Sequence, residues 1–134
     1  MKKNELNVMP DRDLTKAEEQ IMQVLWGLDK ALVHDILKEL PEPKPAYNTV
    51  STIIRILEQK GFVAHKAYGR THEYFPLVTK QEYRRRFFRH MVSNYFGNSY
   101  PSLASFFTRE ENLSLKELEE IRMLIDNEIK TKKV

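Results

Sequence analysis

Between Ala46 and Pro76 the chain reads AYNTVSTIIRILEQKGFVAHKAYGRTHEYFP, and its apolar period changes from helical to alternating inside that stretch. Val50, Ile53, Ile54 and Leu57 recur at i, i+3, i+4 and i+7, one stripe of a helix from about Tyr47 to Lys60. Gly61 suits the position just past the end of that helix. Val63–Ala67 and Thr71–Phe75 then read as short strands around Tyr68-Gly69-Arg70, and Pro76 ends the second. Subtracting the stripe leaves Asn48, Thr49, Ser51, Thr52 and Arg55 on the outer side of the helix.

Two helices are expected upstream. Thr15-Lys16-Ala17-Glu18 has the spacing of a capping box, so the Thr15 hydroxyl and the Glu18 carboxylate can satisfy the first amides. Ala17, Ile21, Val24, Leu25 and Leu28 form its apolar stripe, and the helix should end near Asp29. Val33, Ile36, Leu37 and Leu40 give the second stripe, which Pro41 stops because a residue before proline is pushed out of the α region. Pro41, Pro43 and Pro45 stiffen the link to the third helix. Three helices followed at once by a hairpin with an arginine at its tip predict a mainly α fold with a small β-hairpin wing, a winged helix-turn-helix module. Its bounds are residues 14–77, behind a polar segment, 1–13, expected to be frayed.

From Thr79 the pattern is helical again. Tyr83, Phe87, Met91 and Tyr95 make an aromatic stripe that Gly97 breaks. A short segment from Tyr100 to Thr108 carries Leu103, Phe106 and Phe107. A last helix opens on the capping box Ser114-Leu115-Lys116-Glu117 and continues its apolar side through Leu118, Ile121, Ile125 and Ile129. Three short helices over 78–134 cannot easily bury both stripes within one chain. Pairing with a second copy is the economical solution, so this region is expected to be a helical dimerisation domain.

Charge and composition narrow the partners. The net charge of +3 says little, but its distribution is uneven. Residues 1–45 hold seven Lys/Arg against nine Asp/Glu, residues 46–76 four against two, and residues 79–96 five against one. A local basic face matters more for a polyanion than a high total. The chain has no cysteine, which excludes a disulfide framework and thiolate metal sites. His34, His65, His72 and His90 are scattered without ligand spacing, so neither metal nor cofactor is expected. No nucleophile elbow or Gly-rich phosphate loop is present, and nothing suggests an enzyme. The N-terminus lacks the apolar run of a secretory signal, and no stretch approaches the roughly 20 apolar residues of a membrane span. A cytoplasmic protein without membrane insertion is expected.

The outer side of the third helix is suited to a major groove. Short hydroxyls and amides allow close approach to base edges, and a threonine methyl can touch a thymine methyl. Arg70 at the hairpin tip is the best single phosphate contact, Gly69 permits the positive φ such a tip requires, and Lys66 and His72 share the wing's electrostatic role. Each feature also has a plainer reading. The helix face could be ordinary solvated surface, the tip an ordinary turn, and the whole a winged-helix protein-interaction module without DNA. Small polar groups fit that last reading poorly, since protein hot spots favour Trp, Tyr and Arg. Arg84-Arg85-Arg86 with Arg89 could reach DNA flanks, but attraction to the acidic last helix (Glu117, Glu119, Glu120, Asp126, Glu128) is the preferred account.

Several motifs in fixed order resemble the penicillinase-repressor family of bacterial winged-helix regulators. They are Thr15-x-Ala17-Glu18 leading to Val24-Leu25-Trp26, Val33-x-Asp35-Ile36, Thr49-Val50-x-Thr52, Leu57-x-x-Lys60-Gly61 and Gly69-Arg70-x-x-x-Tyr74-x-Pro76. The similarity covers about residues 14–126, most specifically 49–76. It implies a homodimer that binds double-stranded DNA at an inverted repeat in a promoter and represses transcription, dimerising through the three C-terminal helices. In antibiotic-responsive members it further implies a membrane-bound metalloprotease sensor that triggers cleavage in the dimer domain, usually at an Asn-Phe bond. The matching position here is Phe106-Phe107, without the asparagine. Ile56 stands where the family usually has arginine, and Arg55 lies about 100° around the helix from it, too far to substitute simply. Copper-responsive relatives carry C-terminal Cys-x-Cys pairs, which this chain lacks.

Overall fold

A computed structural model describes residues 14–134, so the expectation for 1–13 lies outside the described residues. The elements are α1 (Lys16–Leu28), α2 (Val33–Glu39), α3 (Tyr47–Lys60), β1 (Val63–Tyr68), β2 (Thr71–Pro76), α4 (Lys80–Phe96), α5 (Tyr100–Glu110) and α6 (Leu115–Lys132). They group into two compact units, one reaching to Phe87 and one spanning Phe88–Val134.

Local chemistry sets the ends of the first three helices. The Thr15 hydroxyl accepts from the Glu18 amide at 3.1 Å, and the Thr15 amide donates to Glu18 Oε1 at 2.9 Å. Asp35 Oδ2 accepts from the Leu32 amide at the start of α2. At its end, Lys44 Nζ donates to the carbonyls of Leu37, Lys38 and Leu40. The link rich in proline therefore closes α2 with a lysine that satisfies carbonyls left without intrahelical partners. Gly61 ends α3 at φ 89°, a conformation costly for any residue with a Cβ.

The core of this unit is formed by Ile21, Met22 and Leu25 of α1, Val33 and Ile36 of α2, Val50, Ile54 and Leu57 of α3, and Phe62, Val63 and Tyr74 beside or within the hairpin. The buried face of α1 is rotated from the expected stripe. Ala17 and Leu28 are exposed, while Met22 and Glu18 are buried. α1 packs on α2, α3 and β2 together. The long Met22 side chain fills that junction, and Glu18 turns inward because Lys60 of α3 meets it, with Nζ 2.7 Å and 2.9 Å from its two oxygens. Burial pushes the Glu18 carboxyl up. Hydrogen bonds from Lys60 and Thr15, with the Lys60 charge, outweigh that and hold it below the usual carboxylate value.

The hairpin is antiparallel, pairing Val63 with Pro76 through to Tyr68 with Thr71 across a two-residue Gly69-Arg70 turn. It is anchored outside itself, because Ala31 and Tyr74 exchange both backbone hydrogen bonds at 2.9 Å and 2.8 Å. Trp26 Nε1 donates to the Val78 carbonyl at 2.8 Å, pinning the chain as it leaves β2. Tyr83 closes the same side. Its ring lies 5.8 Å from Trp26 and 5.9 Å from Phe62, and its hydroxyl accepts from the Leu14 amide. Tyr83, expected on the dimerisation stripe, is half-buried against the core of its own chain.

The second unit has little core. Val92 is its one buried residue among those described, with Phe88 against Tyr100 and Phe96 against Phe106 at centroid distances of 6.0 Å and 5.5 Å. Ser99 caps α5 through the Ser102 amide, and Ser114 and Glu117 form the expected box on α6. Neither α5 nor α6 buries a residue.

Candidate nucleic-acid interface

α3 presents its polar side outward because Val50, Ile54 and Leu57 turn the other side wholly into the core. Asn48, Thr49, Thr52 and Arg55 are exposed, as are Ile56 and Gln59, while Ser51 is half-buried. At about 100° per residue, Thr52 and Gln59 stand opposite the buried stripe, with Asn48 and Arg55 beside them. Thr49 sits on the flank toward α1 and borders a depression lined by Ala17, Gln20 and the prolines of the link. Ser51 sits on the other flank, toward the wing. Sequence reasoning missed Gln59, although the same subtraction of the apolar stripe would have exposed it.

On the wing, Gly69 has φ +66° and open space where a Cβ would point, so glycine is needed there for the backbone alone. Arg70 follows it, exposed at the tip. Lys66 is exposed with Nζ 5.4 Å from the centre of the Tyr68 ring.

Four of the expected residues, Ser51, Arg55, Arg70 and His72, come together in one cleft, which His34 and Tyr47 also line. The Arg55 guanidinium is steadied by its Nε, which donates to the Ser51 carbonyl at 3.3 Å. The His34 and Tyr47 rings are 4.7 Å apart and join α2 to α3 at the cleft wall. Behind it, His65 stacks on His72 at 4.0 Å with 10° between planes, and His65 Nδ1 lies 2.7 Å from Glu58 Oε2. Burial, with the Glu58 charge, pushes the adjoining Tyr74 hydroxyl above its ordinary value, partly offset by Arg55. Asn48 and Thr52 are not among the residues lining the cleft.

The sequence profile of the penicillinase repressor family matches residues 14–127. The chain belongs to the penicillinase repressor family. Among curated relatives, the methicillin resistance regulatory protein MecI of Staphylococcus aureus (strain N315) is 25% identical over 115 residues, covering 85% of this chain and 94% of that protein. The penicillinase repressor of Bacillus licheniformis is 22% identical over 121 residues, covering 90% and 94%. Among solved structures, the DNA-binding domain of the repressor BlaI covers 56% of this chain and 90% of that one, with 25% identity and a TM-score of 0.48. The complex structure of hsRosR-S4 covers 90% and 93% with 18% identity and a TM-score of 0.53, a likeness of fold. The family model and these curated relatives are described as repressors and a regulatory protein.

Among the described residues no group of three or more His, Cys, Asp or Glu could hold a metal ion. No helix among them is long and apolar enough to cross a membrane.

Proposed function

We propose that this member of the penicillinase repressor family binds double-stranded DNA as a homodimer on an inverted-repeat operator and represses transcription. The observation that carries the reading is the exposed polar ridge of α3 standing beside a wing tipped by Arg70. Residues 14–77 form the DNA-binding part. Asn48, Thr52 and Arg55 lie nearest the bases, with Thr49 and Ser51 on the flanks, and Lys66, Gly69 and Arg70 follow the backbone.

Residues 78–134 form the dimerisation part, with Phe87, Met91, Tyr95, Leu118, Ile121 and Ile125 in or beside the interface. The support is the apolar surface left open there: Tyr95 is 78% exposed, Leu124 68%, Met123 64% and Ile125 51%. A patch of that kind on a small unit calls for a cover, and a second copy also supplies the second half-site. Proteolytic release, triggered by a membrane-bound metalloprotease sensor, would act at Phe106-Phe107. That bond lies inside α5, so cleavage there requires the helix to unwind locally. The site of action is the cytoplasm.

A gel-shift titration with the DNA upstream of the protein's own gene tests the reading. Retardation that survives excess random duplex is expected. Equal loss to both duplexes at every salt concentration would overturn operator recognition.

A further inference from the structure

We propose that the cleft between α2, α3 and the wing seats a backbone phosphate of the bound duplex, and that His72 holds it as an imidazolium, taking up a proton as DNA binds. This rests on the DNA-binding reading and adds proton linkage to it.

The cleft is chemically one-sided. Arg55, Arg70, His34 and His72 line it together with Tyr47 and Ser51, and among the described residues no carboxylate does. Donors and cations without an acid suit a phosphodiester oxygen. His72 differs from the arginines because imidazole changes charge near neutral pH. The groups that face it from each packed element can be named: Arg70 in the turn, His65 on β1, Tyr74 on β2, Arg55, Tyr47 and Glu58 on α3, and His34 on α2. Glu58 is engaged by His65 Nδ1 at 2.7 Å, so its charge is directed first to the inner ring of the stacked pair. A phosphate seated among Arg55, Arg70 and His72 favours the charged form of the imidazole, and the proton follows.

The test measures affinity of the full chain between pH 6 and pH 8 at fixed salt, using two duplexes: the region upstream of its own gene and a random sequence of equal length. Affinity should rise as pH falls on both, since the contact is to the backbone, with a ceiling of about tenfold per pH unit for one proton. His72→Gln should flatten the dependence, and His90→Gln, on α4, should leave it. NMR titration of the His72 ring, free and DNA-bound, supplies a measurement without substitution; its midpoint should move to higher pH on binding. Binding with no pH dependence, a dependence kept in His72→Gln but lost in His34→Gln or His65→Gln, or an unmoved His72 midpoint each overturns the proposal while leaving DNA binding intact. Failure to bind either duplex at any pH removes both.

Discussion

Lys60 Nζ lies within 2.9 Å of both carboxylate oxygens of Glu18, which clamps the last turn of α3 to the first turn of α1. The side chains are 13% and 6% exposed, so neither partner can turn to water without moving a helix. Lys60→Ala leaves a buried carboxylate without its cation and should cost about 3 kcal/mol in urea unfolding. Glu18→Gln with Lys60→Met should cost less than the two single changes summed; simple additivity would contradict the coupling. The Glu18 carboxyl is held below the ordinary 4.5, so its stabilisation is complete above that value and fades as pH falls through the lowered one. Wild type should therefore lose more stability than Glu18→Gln on acidification through that range, and parallel losses would assign the linkage elsewhere.

Arg70 is exposed at the wing tip, where it lines the cleft with Arg55 and His72, and its role on DNA should be purely electrostatic. Arg70→Ala is expected to weaken binding to all sequences and to flatten log K against log salt by roughly 0.9. An unchanged slope would remove Arg70 from the interface.

Thr52 stands opposite the core stripe of α3. If its hydroxyl or methyl touches a base, Thr52→Ala changes the ranking of half-site variants by about 1–3 kcal/mol. Uniform weakening across variants would make it a helix-positioning residue.

Leu124 projects from α6 with 68% of its surface open. An aspartate there would be desolvated in a dimer, so Leu124→Asp should weaken self-association at least about tenfold. The helical circular dichroism signal should persist. Sedimentation profiles identical to wild type would take this face of α6 out of the interface.

Local signals made much of the fold legible. Thr15 with Glu18, Ser114 with Glu117, the stop at Pro41 and the αL position of Gly61 each act within a few residues, and the structure places helix ends where those signals stand. Non-local packing was not legible. Met22 replaces Ala17 and Leu28 in the core because three elements converge on α1. The Ala31–Tyr74 pairing joins residues far apart in the chain, and periodicity carries no trace of it. Tyr83 shares a stripe with Phe87 and Tyr95, yet Trp26 and Phe62 draw it into its own core. The exposed polar ridge of α3 emerged by subtraction. The cleft did not, because His34, Arg55 and His72 meet only once α2, α3 and the wing are folded.

Two copies are expected to engage one duplex through matched α3 helices. Sedimentation of the protein with its own upstream DNA, read beside hydroxyl-radical footprinting, tests this most directly. The expected result is two protomers per duplex and two protected patches related by a two-fold axis, centred about one helical turn or a multiple of it apart. A complex of one protomer with a single unsymmetrical patch would contradict it.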